Sequence, residues 1–392
     1  MGPKFPPVSQ ECELPDVAIL GTSNGIIADG YQRALRDRRN SMRVKVLALG
    51  ASPCTFLHYR LNRVQPGQFK FGVIETLVND AASIRRGAFS VAMMEDSMRS
   101  AIDRLRQLGS TPLALILPGR NLDQSALAAA EAQSRIFNET RVTHCNFISL
   151  LQIISTHLNV GFHEFFRDPA HILGGVAHSV SSEFFHTSLK SPSEATPTHA
   201  VSRYKYVSVS ACHFGQPGGP TRPCRPLKRI ANSLLDDVAF ILPEGFALHV
   251  PCEAGSYLVA LVVNIKNTNC ILRITGTKVI DKDFRFEINP QDNKVIVSPC
   301  IVGVECAETG VVLSADGEIS ENMQPTYFTD IHSKPKNRME LLGVVLKTKA
   351  NDTLQWGNPI TGPTSFEWQP DTQQMTRMIE FVSKFVKTQA AH

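Results

Sequence analysis

The sequence predicts an α/β protein: a doubly wound parallel sheet, then a second, β-sandwich-like domain, then a C-terminal helix. Three observations carry that reading. From about 17 to 190, short apolar strand-like runs alternate with helix-like segments. After Lys190 the helical spacing disappears, and short β segments separated by turn-forming pairs replace it. From Asp371 an apolar repeat at helical spacing returns. The expected division is 15–190 for the first domain, 201–365 for the second and 371–388 for a helix that docks on one of them.

The first domain opens with Val17-Ala18-Ile19-Leu20, a strand that stops abruptly at Gly21-Thr22-Ser23-Asn24-Gly25. A helix is expected over 26–39, a second strand over 44–49 ending at Gly50, and a third over 71–76 ending near Asn79-Asp80. One long helix, or two joined ones, should fill 81–108. The continuously apolar stretch 113–117 before Pro118-Gly119 reads as a buried parallel strand. A helix over 123–138 and a further strand over 143–148 complete the alternation.

The stretch Ser191-Pro192-Ser193-Glu194-Ala195-Thr196-Pro197-Thr198 is linker-like, and 215–226 is an extended loop rich in Pro and Gly. Strands are expected over 204–210, 239–242, 257–265, 271–275, 284–288, 294–298, 302–306 and 341–346. In the tail, Asp371 with Gln374 three residues on forms a capping-box pattern. Met375, Met378, Ile379, Val382 and Val386 then share one face, which must be buried.

Composition narrows the function. With 392 residues, 43% of them hydrophobic and 19% charged, the chain can build substantial cores and is not a disordered one. The net charge is only +4, so no polyanionic partner is demanded and no nucleic-acid partner is expected. The N-terminus shows no apolar signal core, and the longest apolar run, 257–265, is far shorter than the roughly 20 residues of a membrane span. Nine cysteines stand singly, an odd count with no Cys-x-x-Cys pair, which fits a reduced compartment. A cytoplasmic protein without a membrane span is expected.

Four stretches carry chemistry together. Ser23 stands on the tight turn after strand one, where helix N-terminal amides can hold an oxyanion. Gly50 ends strand two in Leu47-Ala48-Leu49-Gly50, and Asn79 ends strand three in Leu77-Val78-Asn79-Asp80. Asp168 and His171 form an Asp-x-x-His in Asp168-Pro169-Ala170-His171. All belong at the C-terminal edge of the sheet, where open α/β sheets collect ligands. Taken singly, Ser23 reads as a helix N-cap, Gly50 as a strand-end glycine, Asn79 as a turn residue and His171 as a surface residue. Their order and shared edge favour a site.

This pattern resembles the SGNH (GDSL-type) hydrolase superfamily, whose four blocks carry Ser, Gly, Asn and His in that order; the resemblance covers about 15–190. It implies that Ser23 is the nucleophile, His171 the base and Asp168 the carboxylate that orients it. The backbone N–H groups of Ser23 and Gly50 and the side-chain amide of Asn79 would form the oxyanion hole. The chemistry needs these types: a weak hydroxyl nucleophile needs a base, the imidazole needs a carboxylate to hold its tautomer, and the tetrahedral intermediate needs fixed donors. Two positions depart from the family pattern, Thr22 where an Asp often precedes the nucleophile, and Leu77 where a Gly often lies two before the Asn. Neither is a catalytic group.

By that resemblance the expected function is a serine esterase or acyltransferase. Its substrate would be ester-linked acyl, in particular acetyl, groups of a carbohydrate or an acylated small molecule, in a setting such as polysaccharide biosynthesis. The alternative is a glycan-binding or scaffold protein with a degenerate site. No cofactor and no metal is implied. A zinc site from Cys212, His213, Cys224 and His199 lacks the close pair that anchors such sites. The basic cluster Arg222, Arg225, Lys228 and Arg229 has no interleaved aromatics and reads as a solvated loop. His58-Tyr59-Arg60, close after Gly50, are candidate pocket-lining residues.

Overall fold

The computed structural model describes residues 16–190, 204–225, 227–286, 294–320, 323–326, 334–348 and 365–389. The first part is built on five parallel strands, β1 (Val17–Leu20), β2 (Val44–Val46), β3 (Phe71–Ile74), β4 (Thr111–Ile116) and β5 (Thr143–Asn146), ordered β2-β1-β3-β4-β5. Between and after them lie α1 (Ser23–Ile26), α2 (Tyr31–Arg36), α3 (Phe56–Leu61), α4 (Leu77–Arg85), α5 (Val91–Gln107), α6 (Gln124–Glu139), α7 (Phe147–Leu158) and α8 (Gly174–Ser188). The strands are apolar throughout because both faces are covered. Val17, Ile19, Val73 and Leu115 pack with α2, α7 and α8, whereas Ala18, Leu20, Ile74 and Ile116 pack with α4, α5 and α6.

Several expected boundaries move. The segment 26–39 is interrupted, with Gly30 at the cap position of α2. The stretch 81–108 holds two helices, because the Ser90 side chain accepts from the Met93 N–H and starts α5 afresh. α5 then buries Met94, Met98, Ala101, Ile102 and Leu105 on one face. Asn79 does not end a strand; it lies in the first turn of α4.

The second part is two six-stranded antiparallel sheets. One contains β6 (Tyr204–Ser208), β9 (Lys228–Asn232), β10 (Leu235–Leu242), β12 (Tyr257–Asn264), β15 (Val295–Glu305) and β17 (Met339–Lys347). The other contains β7 (His213–Gly215), β8 (Arg222–Pro223), β11 (Ala247–Val250), β13 (Ile271–Thr275), β14 (Val279–Asp283) and β16 (Val311–Ser314). The two expected strands 294–298 and 302–306 are one, β15, which tolerates Pro299 because it is an end strand. The expected strand 284–288 is displaced to Val279–Asp283, and 287–288 lie outside the described residues.

The sheet holding β12 and β17 is covered on both faces. Leu258, Leu261 and Val263 of β12 enter the core shared with the other sheet, while Ala260 and Val262 enter the core shared with α3 and α5. A bulge between Leu258 and Ala260 adjusts the alternation, and β17 divides likewise, Leu341 and Val344 one way, Leu342 and Val345 the other. The β part is therefore joined to the α/β part by a continuous apolar core.

The tail is α9 (Thr372–Gln389), started by the reciprocal Asp371–Gln374 bonds of 2.7 and 2.9 Å. It buries Met378, Val382 and Val386 with α7 and α8, so it docks on the α/β part. Just before it, Phe366 O accepts from His144 N (3.1 Å) and Trp368 N donates to His144 O (2.8 Å), which covers the β5 edge of the sheet. Among the described residues no helix is long and apolar enough to cross a membrane.

Candidate active site

Ser23 follows β1 as the first residue of α1, with Thr22 at the cap position. Its Oγ is 2.7 Å from His171 Nε2, and His171 Nδ1 is 2.8 Å from both carboxylate oxygens of Asp168. A single cap role for Ser23 is thereby set aside: its hydroxyl faces an imidazole 148 positions away in the chain. The loop holding Asp168 and His171 is closed by an antiparallel bridge between Phe166 and Ile172, both buried. Asp168 Oδ1 also accepts from the N–H groups of Ala170 (2.9 Å) and His171 (3.0 Å). Burial alone would raise the Asp168 carboxyl, but these amides and the His171 ring outweigh it and hold the group below its ordinary range. Asn24 Nδ2 donates to Ala170 O at 3.3 Å and ties the serine turn to this loop.

Gly50 adjoins the serine: a Cβ placed on it would lie 3.9 Å from Ser23 Cβ. As the first residue of a helix, Ser23 has no intrahelical acceptor for its N–H, and the Gly50 N–H has no backbone partner among the described residues. Asn79, buried in α4, donates one amide hydrogen to Ser52 O at 3.1 Å and keeps its second. The five motif residues thus meet at one edge of the sheet. The arrangement can take a proton from a hydroxyl through His171.

Four supporting residues were not singled out by sequence reasoning. Glu75, fully buried after β3, accepts from Thr22 N (3.0 Å) and from Thr22 Oγ1 (2.9 and 3.0 Å). Thr22, at the position where the family pattern often has Asp, is thus paired with a carboxyl. Burial pushes Glu75 up to about 7, against the Thr22 hydrogen bonds. Asp80 accepts from Cys54 N (2.7 Å), Thr76 Oγ1 (2.7 Å) and Gln133 Nε2 (2.9 Å), and burial pushes it up to about 6. Ser52 and Asn24 complete the set. The available signal was an acidic residue closing an apolar strand run, at Glu75, but its partner is 53 positions away. Leu77 is simply a buried core residue.

Other candidates fall elsewhere. His58, Tyr59 and Arg60 do not line an open pocket; all three are buried. His58 stacks on Tyr204 at 3.9 Å, and Tyr59 donates to Asp237 at 2.8 Å, both across the junction with the β part. Of the basic cluster, Lys228 pairs with Glu340, Arg229 with Asp236, and Arg222 lies over the Phe214 ring. Cys212, His213 and Cys224 belong to no metal-holding group among the described residues, and His199 lies outside them.

No family model matches the chain, and no curated protein sequence is significantly similar to it. Solved structures are similar. A two-domain esterase active on acetylated mannans aligns over 86% of this chain and 92% of its own, with a TM-score of 0.57 and 12% identity. The same kind of enzyme co-crystallised with mannopentaose aligns over 86% and 91%, with a TM-score of 0.55 and 13% identity. An acetyl xylan esterase aligns over 43% of this chain and 98% of its own at 14% identity, with a TM-score of 0.35. The parallel sheet and the two-domain likeness agree: the chain has the fold of these two-domain esterases, an α/β domain with an appended β domain.

Proposed function

We propose that this chain is a serine esterase that releases acetyl-sized acyl groups from a carbohydrate through an acyl-enzyme on Ser23. The observation that carries the reading is the unbroken series Ser23 Oγ, His171 Nε2, His171 Nδ1 and Asp168, with contacts of 2.7 and 2.8 Å. In this reading His171 Nε2 takes the Ser23 proton as Oγ attacks the ester carbonyl carbon. The carbonyl electrons move onto oxygen, which the N–H groups of Ser23 and Gly50 and the free amide hydrogen of Asn79 hold. Collapse breaks the bond to the sugar oxygen, which leaves with the proton from Nε2. Water then attacks the acyl-serine with His171 again as base, and the carboxylic acid departs. A sugar hydroxyl in place of that water would make the same intermediate an acyltransferase.

The carbohydrate assignment rests on the likeness to two-domain esterases active on acetylated mannans. The test is acetate release from acetylated oligosaccharides and from p-nitrophenyl acetate. Ser23→Ala should lower turnover by on the order of 10⁴-fold or more with the fold retained. Equal turnover in variant and wild type would remove Ser23 from the chemistry.

A further inference from the structure

The oxyanion side of the site leans on the other domain through one serine. Ser52 is fully buried, two residues beyond Gly50. Its backbone carbonyl accepts from Asn79 Nδ2 at 3.1 Å, and its Oγ accepts from the backbone N–H of Val297 at 2.9 Å. Val297 belongs to β15, the end strand of its sheet. The next two outward positions of that strand offer no free N–H: Pro299 has none, and Ile301 N donates to Gln324 Oε1 at 2.9 Å. Between Gly50 and Ser52, Ala51 holds φ at +58°, a left-handed backbone that costs a non-glycine residue energy and must be imposed by its surroundings. The Ala51 side chain packs against the core of the β sandwich. Farther along, Cys54 N is fastened to Asp80, the neighbour of Asn79 on α4.

We propose that Ser52 is a positioning residue, through which the edge strand of the β domain sets the placement of Gly50 and Asn79 for oxyanion stabilisation. One role of the second domain is then to complete the catalytic site, in addition to any contact with carbohydrate. The inference rests on the esterase reading for its kinetic consequence, but the coupling itself is a property of the fold.

The test uses the full chain, with wild type, Ser52→Ala, Asn79→Ala and the double variant. On p-nitrophenyl acetate, Ser52→Ala should lower kcat by on the order of ten- to a hundredfold with KM nearly unchanged, because donors displaced by a fraction of an ångström act mainly on the transition state. On the Asn79→Ala background the same change should cost only a few-fold, since both act through one loop. Additive losses, or a kcat equal to wild type in folded Ser52→Ala, would overturn the proposal. Should Ser52→Ala not fold, Val297→Pro removes the same bond from an end strand that already holds Pro299, with the same expectations. Hydrogen exchange reads the loop whatever the activity: peptides spanning 48–55 should exchange faster in Ser52→Ala, and those spanning 165–173 should not. Unchanged exchange over 48–55 defeats the coupling. Absent turnover in wild type, with the exchange difference present, counts against the esterase reading alone.

Discussion

The two sides of the candidate site are held by different parts of the molecule. The Ser23–His171–Asp168 side is built within the α/β domain: Thr22 is fixed by Glu75, Ala170 by Asn24, and the Asp168 loop by the Phe166–Ile172 bridge. The oxyanion side crosses the domain boundary, through Ser52 to Val297 and through Ala51 to the sandwich core. The first side is fixed by polar contacts between loops of one sheet edge. The second is fixed by a strained turn pressed between two domains. A change in domain docking should therefore act on stabilisation of the oxyanion before it acts on the proton relay.

Perturbing the relay should give the larger effects. Asp168→Asn removes the carboxylate that orients His171. A buried relay aspartate is worth ~10⁴-fold, but the Asp168 side chain is 38% exposed, so a loss on the order of 10³-fold in kcat is expected from steady-state kinetics. Asn79→Ala, on the other side, should lower kcat by on the order of 10²-fold while leaving KM within a few-fold. A loss in Asn79→Ala that exceeds the Asp168→Asn loss would reverse the ranking.

A third effect concerns stability and not turnover. Glu75 is raised from 4.5 to about 7 in the fold, so the unfolded chain releases this proton first. Between those pH values the native state binds more protons than the unfolded one, and stability falls as pH rises. Glu75→Gln should remove about 3 kcal/mol of that decline, read as a flatter unfolding free energy between pH 4.5 and 7. Asp80, raised to about 6, leaves a decline of the same sign in both proteins. An identical pH dependence in wild type and variant would show that Glu75 is not the group being titrated.

The motif residues were legible as a group because their order follows the sheet: Ser23, Gly50 and Asn79 each lie within about five residues after one of the first three strands, and Asp168 precedes His171 by three. The strand β12 was legible because a strand buried on both faces must be apolar throughout. Glu75 and Ser52 were not legible, since each owes its role to a partner brought near only by tertiary folding, Thr22 in one case and Val297 in the other. The position of the break at Ser90, in a stretch expected as one long helix or two joined ones, and the continuity of β15 through Pro299 were not legible for a related reason. A serine cap and an end-strand proline take their meaning from which neighbours are present, and local pattern does not supply them.

The central claim is that Ser23 is a nucleophile activated by His171. Its most direct test is the intact mass of the chain after exposure to a fluorophosphonate, followed by mapping of the modified residue. A single phosphonyl adduct on Ser23 is expected, absent in Ser23→Ala and formed far more slowly in His171→Ala. An adduct on another residue, or none on the folded wild-type chain, would contradict it.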